Sequence, residues 1–124
     1  MESGTRHTGI RGEDLACRFL ESKGYRILSR NYRGGKCELD IIAETGDSIV
    51  FCEVKTARSD ACGSPLGWIS KKKIRHIARA AREYIITHRI SGRTLRFDVI
   101  AVEVRDGQPE ISHIENAFWV PSDI

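Results

Sequence analysis

Asp40, Glu53 and Lys55 are the residues of this chain whose types and spacing point to chemistry. Asp40 lies in the apolar, β-branched run 36–44 and the other two in the run 48–56, with Thr45-Gly46-Asp47 between them. Two such runs around a short Gly-containing connection predict a β-hairpin. A two-residue Gly46-Asp47 turn of type II′, which places Gly first, sets Thr45 opposite Ser48. Counting back from there, Asp40 falls opposite Glu53 and Glu38 opposite Lys55. Alternation of side chains along a strand then puts Glu38, Asp40, Glu53 and Lys55 on one face, for chemistry. Leu39, Ile41, Val50, Cys52 and Val54 go to the other, for the core.

Two carboxylates directly opposed across a ladder repel one another unless a cation lies between them. Lys55 supplies part of that charge. A hard divalent cation, Mg²⁺ or Mn²⁺, held by one or two carboxylates together with substrate phosphate oxygens, supplies the rest, and the chemistry implied is metal-assisted phosphodiester cleavage. The bland alternative is a solvated face of cross-strand ion pairs, which is the usual meaning of an isolated Glu-x-Lys. The matched register of Asp40 favours the metal site.

The elements around the hairpin bear on both readings. Segment 11–23 carries Leu15, Ala16, Phe19 and Leu20 at helical spacing and stops at Gly24, a common C-cap residue. Glu13 lies at the edge of that apolar stripe; it is either a third acid of the site or a first-turn Glu complementing the helix dipole. Segment 71–89 predicts a second helix, with Ser70 as N-cap, Ile69 packing on Ile74 as a staple, and an apolar stripe of Ile74, Ile77, Ala78, Ala81, Tyr84 and Ile85.

Charge is unevenly placed. Nine basic residues and one acid, Glu83, fall within 71–96, so this segment carries +8 and the rest of a chain of net charge +3 carries −5. Lys71, Lys72 and Lys73 occupy the first turn of the second helix, where cations oppose the macrodipole but, with the free amides, favour phosphate. With Arg75, Arg79 and Arg82 they predict a surface for a nucleic-acid backbone.

The small-residue-rich connection 57–69 joins Lys55 to that helix and is of the length that tends to be functional or disordered. Trp68 within it is read as an anchor for the following helix or as a base-stacking residue. Segments 25–33, 95–104 and 110–115 read as further strands, with Asp106-Gly107 a hairpin turn and Asp98 an ion-pair partner of Arg96 and Arg93. His7, His76, His88 and His113 have no ligand-like spacing and are read as surface or structural residues.

The chain of 124 residues is one domain, with residues 1–9 expected to be flexible. No apolar run approaches a membrane span, and the first residues lack the apolar core of a secretory signal, so a cytoplasmic protein is expected. Cys17, Cys37, Cys52 and Cys62 form no Cys-x-x-Cys pair and read as reduced, packed thiols.

Taken in order, Gly12-Glu13, the run 24–33 (Gly-Tyr-Arg-Ile-Leu-Ser-Arg-Asn-Tyr-Arg), Glu38-Leu39-Asp40-Ile41-Ile42-Ala43, Val50-Phe51-Cys52-Glu53-Val54-Lys55 and Arg96-Phe97-Asp98-Val99-Ile100 resemble the YraN family of small bacterial endonuclease-like proteins. That family is similar in turn to the archaeal Holliday-junction resolvases and the PD-(D/E)XK nucleases. The chain departs from the family pattern at Cys37, where Gly usually precedes the Glu-x-Asp. The resemblance implies a restriction-endonuclease-like α/β fold, a mixed β-sheet flanked by α-helices. It makes Asp40 and Glu53 metal ligands, Lys55 the catalytic lysine, and Glu13 a helix-borne acid acting on the metal directly or through water; the Val54 carbonyl is a candidate third ligand. It also implies branched or structured DNA as substrate and a homodimer with two active sites. Two readings from other classes stand beside it: a noncatalytic nucleic-acid-binding module with a vestigial metal site, which predicts the same basic helix and salt-sensitive binding but no strand scission, and a protein–protein adaptor using the Trp68 loop.

Overall fold

The computed structural model describes residues 4–58 and 65–118. The expected flexible lead at 1–9 falls partly outside these residues, as does the middle of the connection 57–69 with Cys62. The elements are α1 (Gly4–Ser22), β1 (Arg26–Gly34), β2 (Cys37–Thr45), β3 (Ser48–Arg58), a 3-10 turn (Pro65–Trp68), α2 (Lys71–Thr87), β4 (Thr94–Arg105) and β5 (Gln108–Ile114). Helix α1 thus begins before the expected Arg11, and α2 ends before Arg89. No described helix is long and apolar enough to cross a membrane.

The strands form one sheet in the order β1-β2-β3-β4-β5, antiparallel throughout except for the parallel pair β3–β4. Parallel neighbours need a crossover rather than a tight turn, and α2 lies in that connection. The result is the mixed sheet with flanking helices of a restriction-endonuclease-like fold. The turns follow from their residues: Thr45 pairs with Ser48, and of Gly46 and Asp47 only Gly46 has a positive φ, 55°, as type II′ requires. Asp106 and Gly107 both have positive φ, as type I′ requires, and Arg105 pairs with Gln108 across them.

Both faces of the sheet are core, which corrects the expectation of one apolar and one polar face. Ala16, Cys17 and Leu20 of α1 pack on Ile41, Ala43, Val50, Cys52, Ile100 and Val102. Ile77, Ala80, Ala81 and Tyr84 of α2 pack on Leu39, Ile42, Ile49, Phe51 and Phe97. The crossover helix α2 covers one face and α1 the other, so consecutive residues of β2, Ile41, Ile42 and Ala43, are all buried, pointing alternately to the two helices. Cys17, Cys37 and Cys52 are free thiols buried in these layers.

Helix α2 starts as its sequence predicts, with the Lys73 amide donating to Ser70 Oγ at 3.0 Å. It meets β1 closely at Gly34, where an added Cβ would lie 2.9 Å from Glu83 Cβ and 3.0 Å from the Ala80 backbone. Gly34→Ala must push the strand end and helix apart, and its expected cost is about 1–3 kcal/mol, read as a lower denaturation midpoint with an unchanged slope in urea.

Asp98 is fully buried and fully partnered. Arg96 donates to it at 2.9 and 3.0 Å, the Asn116 amide at 3.1 Å, and His113 Nε2 lies 2.7 Å away, with Lys23 Nζ 2.8 Å from the other ring nitrogen of His113. Burial alone would raise the Asp98 carboxyl, but His113, Arg96 and Asn116 hold it below the usual range. Arg96 is the expected partner. Arg93 is not: it reaches instead to Glu44 at 2.7 Å and the Asp47 carbonyl at 2.9 Å, because it lies beyond the end of β4 beside the β2–β3 turn. His113 is structural, joining α1 to the sheet.

Candidate active site

The hairpin follows its predicted register from Thr45↔Ser48 to Ile41↔Cys52 and then splits. Beyond that pair β2 keeps its bonds to β1 as far as Gly34↔Cys37, and β3 keeps its bonds to β4 as far as Arg58↔Val104. Asp40 sits at the fork, and its Oδ2 accepts the Val54 amide at 2.8 Å where the ladder would otherwise have continued. Its carboxylate is thereby fixed against β3, and a cleft opens between the two arms of the sheet.

The side chains also change sides at this point. Leu39 packs in the α2 layer and Ile41 in the α1 layer, although strict alternation would put them together. Opposite Asp40, bracketed by the pairs Arg30↔Ile41 and Tyr32↔Leu39, is Asn31 with φ 52°, a left-handed conformation that Asn tolerates better than most residues. The expected common face of Leu39 and Ile41 is therefore corrected, and so is the place of Glu38. Carried away from the site by the same reversal, Glu38 pairs with Arg33 at 2.6 Å on the surface. Glu53 and Lys55 share the parity of Phe51, on the α2 side, while Cys52 and Val54 turn to α1. At the reversal, Asp40 meets acids from both layers.

From the α1 side comes Glu13. Its helix lies tight on β3, because Gly12 abuts Thr56 Oγ1 with no room for a Cβ. Arg30 is 3.7 Å from Glu13 and bonds Asp14 at 2.8 Å, and the Asn31 side chain lies beside Glu13. Burial, and then the nearby Asp40 carboxylate, raise the Glu13 carboxyl, with Asn31 and Arg30 opposing.

From the α2 side comes Glu53, 3% exposed. One of its oxygens, Oε1, is buried without a hydrogen-bond partner; the other, Oε2, is 3.7 Å from Lys73 Nζ. Burial first, then the charge of Asp40 and a bond shared with it, push the Glu53 carboxyl up to about 8, against the pull of Lys73 and Lys55. Burial, with Asp40 beside it, outweighs these two cations, so Glu53 retains a proton near neutrality.

The structure thus brings together Glu13, Asp40, Glu53 and the Lys55 charge. Of the basic residues expected to meet nucleic acid, Lys71, Lys72, Arg75, Arg79 and Arg82 are exposed along α2, whereas Lys73 turns inward. Sequence reasoning missed three participants: Lys73 as a partner of Glu53, and Arg30 and Asn31 as supports of Glu13. For Asn31 a signal existed, since a turn-favouring residue inside a strand pattern marks an irregularity. Trp68 is half-buried at the end of the 3-10 turn.

Residues 12–102 match the uncharacterised protein family UPF0102. A UPF0102 protein of Alkaliphilus oremlandii is 46% identical over 112 residues, covering 89% of this chain and 96% of that relative. One from Syntrophomonas wolfei is 42% identical over 113 residues, covering 91% and 98%. Among solved structures, the chain is similar to Pyrococcus furiosus SfsA in complex with Ca²⁺, with 20% identity and a TM-score of 0.35. That match covers 90% of this chain, which spans 63% of the length of that one.

Proposed function

We propose that this chain, which belongs to the uncharacterised protein family UPF0102, is a Mg²⁺-dependent endonuclease or nuclease-like protein acting on branched or structured DNA. The observation that carries this reading is Glu53: a buried carboxylate with an unpartnered oxygen, faced by a second carboxylate, at the fork of a sheet. Such an arrangement costs stability unless a cation joins it. Among the described residues no three His, Cys, Asp or Glu side chains stand in ready-made metal geometry. The donors are two carboxylates, with Glu13 behind them, and they suit a hard ion that takes the remainder of its shell from water and phosphate. Asp40 and Glu53, with the Val54 carbonyl, would hold it, and it would supply Lewis acidity and an activated water.

The roles of the chain's own residues follow from their places. Asp40 is held in position by the Val54 amide. Lys55, on the same strand face as Glu53, orients the attacking water and offsets charge gathering on the phosphate. Glu13, held by Arg30 and Asn31, takes up water protons at the edge of the cluster. The exposed row Lys71, Lys72, Arg75, Arg79 and Arg82 lies on the helix whose first turn touches Glu53, so a strand bound along it is led to the carboxylates. Replacing Lys71, Lys72 and Arg75 together by Ala is expected to weaken DNA binding alike for all sequences, and to reduce the salt slope by about one unit for each cation–phosphate pair removed. An unchanged slope in filter binding would remove α2 from the interface.

The deciding experiment is an assay of the purified protein with Mg²⁺ or Mn²⁺ on linear, flapped, single-stranded and four-way-junction DNA, beside an Asp40→Asn control. Scission that depends on the metal and on Asp40 supports the endonuclease. Salt-sensitive binding without scission supports the noncatalytic module, and absence of both leaves neither standing.

A further inference from the structure

Lys73 differs from its neighbours in the triple-lysine turn. With no acid in the first turn of α2, each of the three cations opposes the helix dipole. Lys71 and Lys72 project into solvent, whereas the Lys73 side chain is 36% exposed and its ammonium lies 3.7 Å from Glu53 Oε2. The root of that side chain is fixed, because the Lys73 amide is tied to Ser70 Oγ. Its four-carbon stem is free to rotate, so the ammonium can leave Glu53 for the solvent side, among Lys71, Lys72 and Arg75, without any movement of the helix.

Glu53 cannot serve two cations equally. A unit charge and a divalent ion on one buried carboxylate are only a few ångströms apart, and at low effective dielectric their repulsion is large. We infer that Lys73 is the resident counter-cation of the Asp40–Glu53 pair, displaced when a divalent ion occupies the carboxylates, and that the displaced ammonium then binds the nucleic-acid phosphate. Ion loading and nucleic-acid binding therefore reinforce one another through one lysine, a reciprocal coupling between two ligands. This rests on the reading of Asp40 and Glu53 as the ion-binding pair.

The test is Mn²⁺ titration by calorimetry, without DNA, of the wild type, Lys73→Met and Lys73→Arg, each first shown to melt cooperatively. Losing one positive charge favours a divalent ion about twice as strongly as it favours a competing proton, so Lys73→Met is expected to bind Mn²⁺ about tenfold more tightly. Lys73→Arg, which restores the charge, should stay close to the wild type. A second readout separates the lysine's two positions: with Ca²⁺ as the ion, Lys73→Met should lower the salt slope of junction binding by about one unit relative to wild type, and in EDTA the two slopes should agree. Unchanged or weaker Mn²⁺ binding by Lys73→Met, where the wild type binds saturably and Asp40→Asn does not, overturns the role of Lys73 and leaves the carboxylate pair intact. No saturable Mn²⁺ binding by any of the proteins overturns both.

Discussion

Asp40→Asn and Glu53→Gln are each expected to lower metal-dependent cleavage of branched DNA by about a hundredfold or more, with DNA binding within a few-fold of wild type. Both changes keep the size of the side chain and remove one charge from the pair that would hold the ion. In Asp40→Asn the amide oxygen can still accept the Val54 N–H that now meets Asp40 Oδ2 at 2.8 Å, so the fork of the sheet is preserved and the effect is electrostatic. Lys55→Ala removes a cation beside the reacting phosphate, a loss of about 10²–10³ for a single stabilising donor. Binding survives because the exposed cations of α2 are untouched. Single-turnover cleavage beside binding isotherms separates the two quantities, and wild-type rates in any of these purified variants would place the chemistry elsewhere.

In EDTA the protein is expected to lose stability as the pH rises from about 4.5 to about 8, and Glu53→Gln to remove most of that loss. The unfolded chain releases the Glu53 proton near 4.5, whereas the folded chain keeps it to about 8, because burial and Asp40 disfavour the charge. Between these values the folded state binds more protons than the unfolded one, so stability falls with pH. Below the window both states are protonated and the stability is fully present; above it both are ionised and the loss is complete. A displacement of this size corresponds to a change on the order of several kcal/mol, and in Tm of about 15–20 °C. Glu13, also raised, acts in the same direction. Asp98, held below its ordinary 3.8, acts in the opposite direction but only at lower pH, since its contribution is lost as pH falls. Mg²⁺ at neutral pH should reverse the loss in the wild type by mass action on the folded state and leave Glu53→Gln nearly unmoved. Calorimetry at pH 5, 7 and 9, with EDTA and with Mg²⁺, gives the comparison; a flat wild-type profile in EDTA would falsify the proton-sharing pair.

Much of the site was legible because its determinants are local. Gly46 can take the positive φ that a type II′ turn needs, which set Thr45 against Ser48 and carried the register to Ile41↔Cys52. Ser70 could be read as a cap because the residue that closes a helix start is its sequence neighbour. The expected faces of Leu39 and Glu38 were wrong because strict alternation assumes an unbroken strand, and both β1 and β2 reverse their faces where Asn31 lies opposite Asp40. An apolar run such as Ile41-Ile42-Ala43 does not reveal that helices cover both sides of its sheet.

Hairpin register, helix start, strand order along the chain and the basic run of 71–96 were written into neighbouring residues, since turns, caps and charge density depend on groups a few positions apart. Packing alone decided which charges meet. Asp40 faces Glu53 at the end of a ladder that splits, and Glu13 reaches them because α1 seats closely on Thr56. Arg30 and Asn31 support Glu13 from β1, and Lys73 leaves its helix face for Glu53. These partners are far apart in the chain. Burial makes their charges strong and selective, and burial exists only once both helices have closed on the sheet.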